Sequence, residues 1–291
     1  MHGLTRALAG LLAALSALPA LAQSDDLRRL TLRGDVLGWE AVGRLDIGAS
    51  GFCTGALVAG DIVLTAAHCL FDPRTGQRLD PRDLTFRAAL SDGASVAERR
   101  GRRAVVAAGY DYLSQDAAAR IRHDVALLQL EAPISVADAD PFRTDALAPG
   151  RGRVSVVSYG QGREGALSRQ GECTILGAEA GLLAFDCDVT FGSSGAPVFQ
   201  DRDGRMRIVS VISAISDAGG ARAGDMVSLG MELPGVFDEL MVALRAGRGV
   251  WPEEGVETRR LSVGSDRSSG TTPGATSGAT SGMGGARFLK P

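Results

Sequence analysis

Three residue types in this chain of 291 residues could together do chemistry that none of them does alone: a serine, a histidine and an aspartate. A serine hydroxyl is a weak nucleophile at neutral pH and needs a base beside it to take its proton. A histidine can take that proton near neutrality, and a carboxylate can hold the imidazole in the tautomer the transfer needs. The chain has three histidines, and one of them, His2, lies at the extreme N-terminus. His68 stands in "LTAAHC", and His123 and Asp124 open "HDVALLQL". The run "TFGSSGAPVF", Thr190 to Phe199, sets Ser193 and Ser194 between two glycines. Taken singly, each has an ordinary reading: a histidine capping a strand, an aspartate at a strand end, and a glycine-serine turn.

The elements that would have to position these residues are short strands. Apolar, β-branched runs punctuated by Gly, Asp and Pro predict strands at Ala41–Ile47, Phe52–Val58, Ile62–Thr65, Leu84–Ala89, Val105–Ala108, Val125–Leu130, Val154–Ser158 and Arg207–Ala214. Many short strands with frequent turn signals predict an all-β, antiparallel sandwich or barrel. One helix is predicted: Val236, Phe237, Leu240, Met241 and Leu244 fall at helical spacing between Pro234 and Gly247. His68 then sits at the exit of the second strand of a hairpin that turns at Ala59-Gly60-Asp61. Strands so joined can bring Cys53 and Cys69 within disulfide reach, although spacing does not establish that they pair.

With the surroundings of these residues in view, the chain resembles the chymotrypsin-like (trypsin-like) serine peptidases. "FCTGALV" followed by "LTAAHC" resembles their histidine region, Asp124 before an apolar "ALL" strand resembles their aspartate, and Gly192-x-Ser194-Gly195-x-Pro197 resembles their nucleophile motif. The order His68, Asp124, Ser194 is also theirs, whereas other triad folds use other orders. The resemblance implies two antiparallel six-stranded β-barrels with a C-terminal helix, and a cleft between the barrels. It implies His68 as general base, Asp124 as its orienting carboxylate, Ser194 as nucleophile, and the backbone N–H groups of Gly192 and Ser194 as the oxyanion hole. It further implies a Cys53–Cys69 disulfide, a protein or peptide substrate, and no cofactor or metal. His123 neighbours Asp124 on an extended chain, so its side chain points the other way, and it reads as a surface residue.

The sequence also departs from digestive members of that family. They carry an aspartate just before the nucleophile, which pairs with a new N-terminal Ile or Val after zymogen cleavage. Here Ser193 holds that place and no "IVGG"-like start occurs between Leu27 and Trp39, so that switch is not expected. Secreted bacterial members such as glutamyl endopeptidases are nearer in this respect, and they share an "AVGRL"-like first strand (Ala41–Leu45). Specificity reads two ways. Asp188 falls six residues before Ser194, where trypsin-like enzymes keep the aspartate that selects Arg or Lys; a shifted alignment gives Asp186 a structural role instead. Ser213, within a Val211–Ile215 pocket wall facing Asp225–Leu229, is the other candidate pocket residue, and no pocket histidine of a glutamate-specific enzyme is present.

The remainder bounds the setting. Arg6, the apolar run Ala7–Leu18 and Ala20-Leu21-Ala22 read as a secretory signal peptide over residues 1–22, too short to span a bilayer comfortably. In an exported chain, four cysteines without a Cys-x-x-Cys pair suggest disulfides rather than a zinc site. Cys173 and Cys187 are equidistant from a hairpin turn near Ala180, which predicts that they pair. Residues 23–36 read as a candidate propeptide or extension, with Arg33-Gly34 as a cleavage point, residues 37–250 as the peptidase domain, and residues 262–291 as a Gly/Ser/Thr-rich tail with too little to bury to fold. A net charge of −3 offers no basic face for nucleic acid. The expectation is a secreted or periplasmic monomeric serine endopeptidase that engages no membrane. A catalytically silent or chaperone-like relative acting by binding is the alternative.

Overall fold

The computed structural model describes residues 27–48, 51–148, 152–216, 226–252 and 287–288. The expected signal peptide, residues 1–22, and most of the expected tail lie outside the described residues, as does Asp225.

The first barrel is built from β2 (Val42–Ile47), β3 (Phe52–Ala59), β4 (Ile62–Thr65), β5 (Leu84–Ala88), β6 (Ala97–Val106) and β7 (Ala126–Leu130), closed in the order β2-β3-β4-β7-β6-β5. The alternation expected of half-buried strands is visible in β5, whose Leu84, Phe86 and Ala88 point inward while Thr85 and Arg87 do not. Closure removes the exposed edges that a short open sheet would leave. Val105–Ala108 falls on only the end of its strand. Polar residues from Ala97 onward belong to it too, because β6 pairs with β5 on one side and β7 on the other. Its inward positions are small: at Gly101 a Cβ would lie 2.3 Å from the carbonyl oxygen of Pro81.

The second barrel uses β8 (Arg153–Ser158), β9 (Ser168–Glu179), β10 (Leu182–Phe185), β11 (Pro197–Arg202), β12 (Arg205–Ser216) and β13 (Val227–Met231). Their order is β9-β10-β13-β12-β11-β8, and β8 pairs back onto β9. Two six-stranded antiparallel barrels are therefore present, as expected. Two short strands are appended: β1 (Arg28–Arg29) on β9, and β14 (Arg287–Phe288) on β12. The second core gathers Val154, Val156, Ile175, Leu183, Phe185, Val198, Val209 and Ile212, with the Cys173–Cys187 disulfide among them. The hairpin β9–β10 carries that bridge, with Ala180 at positive φ in its turn.

Among the described residues there are three α-helices: α1 (Arg33–Val36), α2 (Ala117–Arg122) and α3 (Pro234–Ala246). Helix α3 starts with proline in its first turn and ends on Gly247 in the left-handed region, φ 69°, which are the start and stop signals read in the sequence. It buries Leu240 and Leu244 and lies against β6 and β7 of the first barrel. Between the barrels, Phe199 contacts Trp39 and Phe142, with ring centroids 5.2 and 4.6 Å apart.

Candidate active site

His68 lies in a single 3-10 turn, Ala67–Leu70, immediately after β4. The Cys53–Cys69 disulfide ties that turn to the neighbouring strand β3, so the backbone beside the imidazole is fixed from both sides. Asp124 comes from a different element. Asp116 caps α2 through the N–H of Ala119, and the helix ends at His123, so that Asp124 leads directly into β7. Arg122 braces this corner by donating to the carbonyl of Ala180 in the second barrel at 2.9 Å.

The two side chains meet in the interior. His68 Nδ1 is 2.7 Å from Asp124 Oδ2, and the His68 backbone N–H donates to Oδ1 at 2.8 Å. The hydroxyl of Ser213 donates to Oδ2 at 2.5 Å. Asp124 is wholly buried, and a buried carboxylate is stable only with its lone pairs used in this way. A nitrogen facing a carboxylate carries the proton, which makes Nε2 the accepting nitrogen of His68. His123 is placed elsewhere: its Nδ1 lies 2.8 Å from the carbonyl of Ala119, and its ring covers Gly109. The negative charge of Asp124 also adds to the burial that pushes the Tyr110 phenol upward, so that hydroxyl stays neutral.

The loop between Thr190 and Pro197 is pinned to both barrels. Thr54 of β3 donates its N–H to the Ser194 carbonyl at 2.8 Å and its hydroxyl to the Gly192 carbonyl at 2.9 Å. On the other side, Gly195 N–H donates to Ile212 and Ile212 N–H to Ala196, at 2.8 and 2.9 Å. The loop is thereby set one residue from Ser213, which bonds the carboxylate. Gly192 and Gly195 have φ of 92° and 78°, conformations that other residues resist. They also leave no space: a Cβ on Gly192 would fall 2.2 Å from the Phe52 ring, and one on Gly195 would fall 2.1 Å from Thr65 Oγ1. Gly195 thus brings the loop against Thr65 and Ala66, two residues before His68.

The two serines differ in what surrounds them. Ser193 turns inward: its hydroxyl lies 3.0 Å from the Tyr159 carbonyl and accepts from Arg163 at 3.2 Å. Arg163 also donates to the carbonyl and hydroxyl of Ser158, and burial pushes its guanidinium below the ordinary value. Ser194 is itself buried within that loop, with Gly192 two residues before it and its carbonyl held by the Thr54 N–H. The digestive activation aspartate therefore has a different counterpart here, a serine hydroxyl held by an arginine of the same domain. Arg163 escaped sequence reasoning because it lies in a polar turn, "GQGREG", thirty residues from its partner, and no spacing rule joins the two.

Asp188 is exposed on the way into the loop, and its backbone N–H donates to Gln170. Its charge is felt by Arg163. Asp186 accepts instead from the Thr174 backbone within the disulfide-stapled hairpin, a structural placement. Ser213 spends its hydroxyl on Asp124, so only its backbone remains to face a substrate. Cys53, His68 and Cys69 form a close group of metal-ligating types, but both sulfurs are bonded to each other.

Residues 50–207 match the family model of the trypsin-like peptidase domain. The chain belongs to the trypsin-like peptidase family. Membership of this peptidase family implies protein or peptide substrates. No curated protein sequence matches the chain. Among solved structures, it is similar to a Glu endopeptidase in complex with MPD, with 16% identity and a TM-score of 0.56 over 72% of this chain and 91% of that one. At that identity the likeness is one of fold, and it agrees with the two barrels and their order. Among the described residues, no helix of this trypsin-like peptidase is long and apolar enough to cross a membrane.

Proposed function

We propose that the protein is an exported serine endopeptidase that hydrolyses peptide bonds through Ser194, His68 and Asp124. The observation that carries this reading is the buried His68–Asp124 pair, hydrogen-bonded at 2.7 Å and reinforced by Ser213, in a domain whose glycine-flanked loop carries Ser194. In the first step Ser194 Oγ attacks the scissile carbonyl carbon as His68 Nε2 takes its proton. Asp124 holds the imidazole and stabilises the imidazolium that forms. The carbonyl oxygen becomes an oxyanion met by the N–H groups of Gly192 and Ser194, donors of a kind worth about 10²–10³ in rate each. The imidazolium then gives its proton to the leaving amine, and an ester links Ser194 to the acyl half. Water, deprotonated by His68, reverses the sequence and frees Ser194.

The apolar leader over residues 7–18 and the two disulfides support export to an oxidising compartment. Asp188 supports cleavage after Arg or Lys, set against the neighbouring Arg163, whose positive charge offsets it. Hydrolysis of a peptide library tests both points. Wild-type protein is expected to cut, and Ser194→Ala or His68→Ala to lose at least about 10⁴ in kcat/KM. Asp188→Asn is expected to erase any preference for Arg or Lys. A Ser194→Ala protein that cuts at the wild-type rate contradicts the mechanism.

A further inference from the structure

Strand β12 has two edges. One pairs with β13 from Ile212 to Ser216. The other pairs with β11 only as far as Val211, opposite Pro197. Beyond that point the chain before β11 turns away as the Ser194 loop, with Gly195 and Ala196 bonding Ile212. The stretch Ala214–Ile215 is therefore a sheet edge that opens immediately beside the nucleophile loop. Such an edge takes up an extended peptide through main-chain hydrogen bonds, with little demand on its sequence.

In this protein the edge is covered. β14 pairs with it antiparallel, Phe288 opposite Ala214 and Arg287 opposite Ile215. The polarity is informative. Moving toward the C-terminus along β14 means moving from Ile215 toward Ser213, that is, toward the loop carrying Ser194. An extended peptide lying the same way would deliver its next residues to that loop.

We infer that the C-terminal segment of the chain is an intramolecular occupant of the substrate groove, holding the Ala214–Ile215 edge in the polarity of a bound peptide and competing with substrate for it. This rests on the reading of Ser194 as the nucleophile. The tether is long enough: residues 253–286 make a chain of roughly 34 residues, whose contour reaches about 110 Å. Being intramolecular, the contact needs no high affinity, and its two-residue ladder is short enough for a longer substrate strand to displace. Inhibition is then competitive. If the edge is covered at least half the time, the apparent affinity for substrate falls by the uncovered fraction, so removing the tail lowers KM by about twofold or more.

Two measurements test this. In the first, the full chain and a form ending at residue 286 are compared on one peptide substrate, after intact mass shows the full chain uncut. The expected result is a KM lowered by about twofold or more on truncation with kcat unchanged, and competitive inhibition of the truncated form by the peptide Gly-Ala-Arg-Phe-Leu-Lys-Pro. In the second, hydrogen exchange is followed over Ala214–Ile215 in Ser194→Ala, with and without residues 287–291, and in Ser194→Ala carrying Phe288→Pro. Faster exchange there on truncation and in Phe288→Pro, with β3 unchanged, is expected. Equal exchange in all three, or equal KM in both lengths, overturns the inference. The exchange measurement needs no turnover, so it still decides the contact if the protein cuts nothing, an outcome that would count against the peptidase reading alone.

Discussion

Asp124 accepts three hydrogen bonds from two residues far apart in the chain: His68, through main chain and ring, and the Ser213 hydroxyl. That concentration of donors is what a buried, unshared negative charge requires, and it fixes the imidazole as a consequence. Arg163 does comparable work at the serine. Its guanidinium crosses from Ser158 to Ser193 under the Ser194 loop, and Gly160 is bare because a Cβ there would lie 2.8 Å from it. Replacing Arg163 with methionine keeps an apolar stem and removes every donor. The expected result is a kcat lowered by about ten- to a hundredfold, because a small displacement of the loop misplaces both hydroxyl and oxyanion donors. KM should change far less, and Arg163→Lys should recover only part of kcat, lacking the planar fork. A kcat equal to wild type in Arg163→Met would mean that the arginine only fills space.

At the scale of elements, the N-terminal segment has a part in the fold that its sequence does not announce. β1 pairs with β9, Leu30 is buried, and Leu30 N–H donates to Leu167 at 2.7 Å. Arg29 reaches Asp92, joining this segment to the first barrel. Residues 27–36 thus behave as an edge strand and strap of the domain, though they read in sequence as a candidate propeptide. A protein starting at residue 37 should lose about 1.5–3 kcal/mol for Leu30 alone, seen as a lowered Tm. N-terminal sequencing of the mature protein should find a start before Leu27; a start at Gly34 with unchanged Tm would contradict this. The strands with clean apolar alternation, the hairpin carrying His68 and the closing helix were legible because their local patterns and punctuation agree with the fold. The full extent of β6 and the use of β1 were not, because both are decided by neighbours far away in the chain. The same holds in the site. His68, Asp124 and Ser194 carry local motifs, whereas Arg163 and the bond from Ser213 to Asp124 exist only once the barrels are folded.

At the scale of the molecule, the proposed mechanism depends on two barrels meeting correctly. The first contributes His68 and Asp124, the second the Ser194 loop, and Thr54 reaches across to bond the loop's carbonyls. The aromatic contacts of Phe199 with Trp39 and Phe142 hold the same junction. Arg163 and Ser193 supply a buried contact under the loop from within the domain, and on the proposed reading this takes the place of a zymogen-style N-terminal charge. The site should therefore be competent once the chain is folded, apart from the competition from its own tail. The most direct test is to treat the folded protein with a serine-directed organophosphonate and map the adduct by peptide mass. One adduct on Ser194 is predicted, absent from Ser194→Ala and still formed by Ser193→Ala. No adduct, an adduct on Ser193, or equal labelling of Ser194→Ala would contradict it.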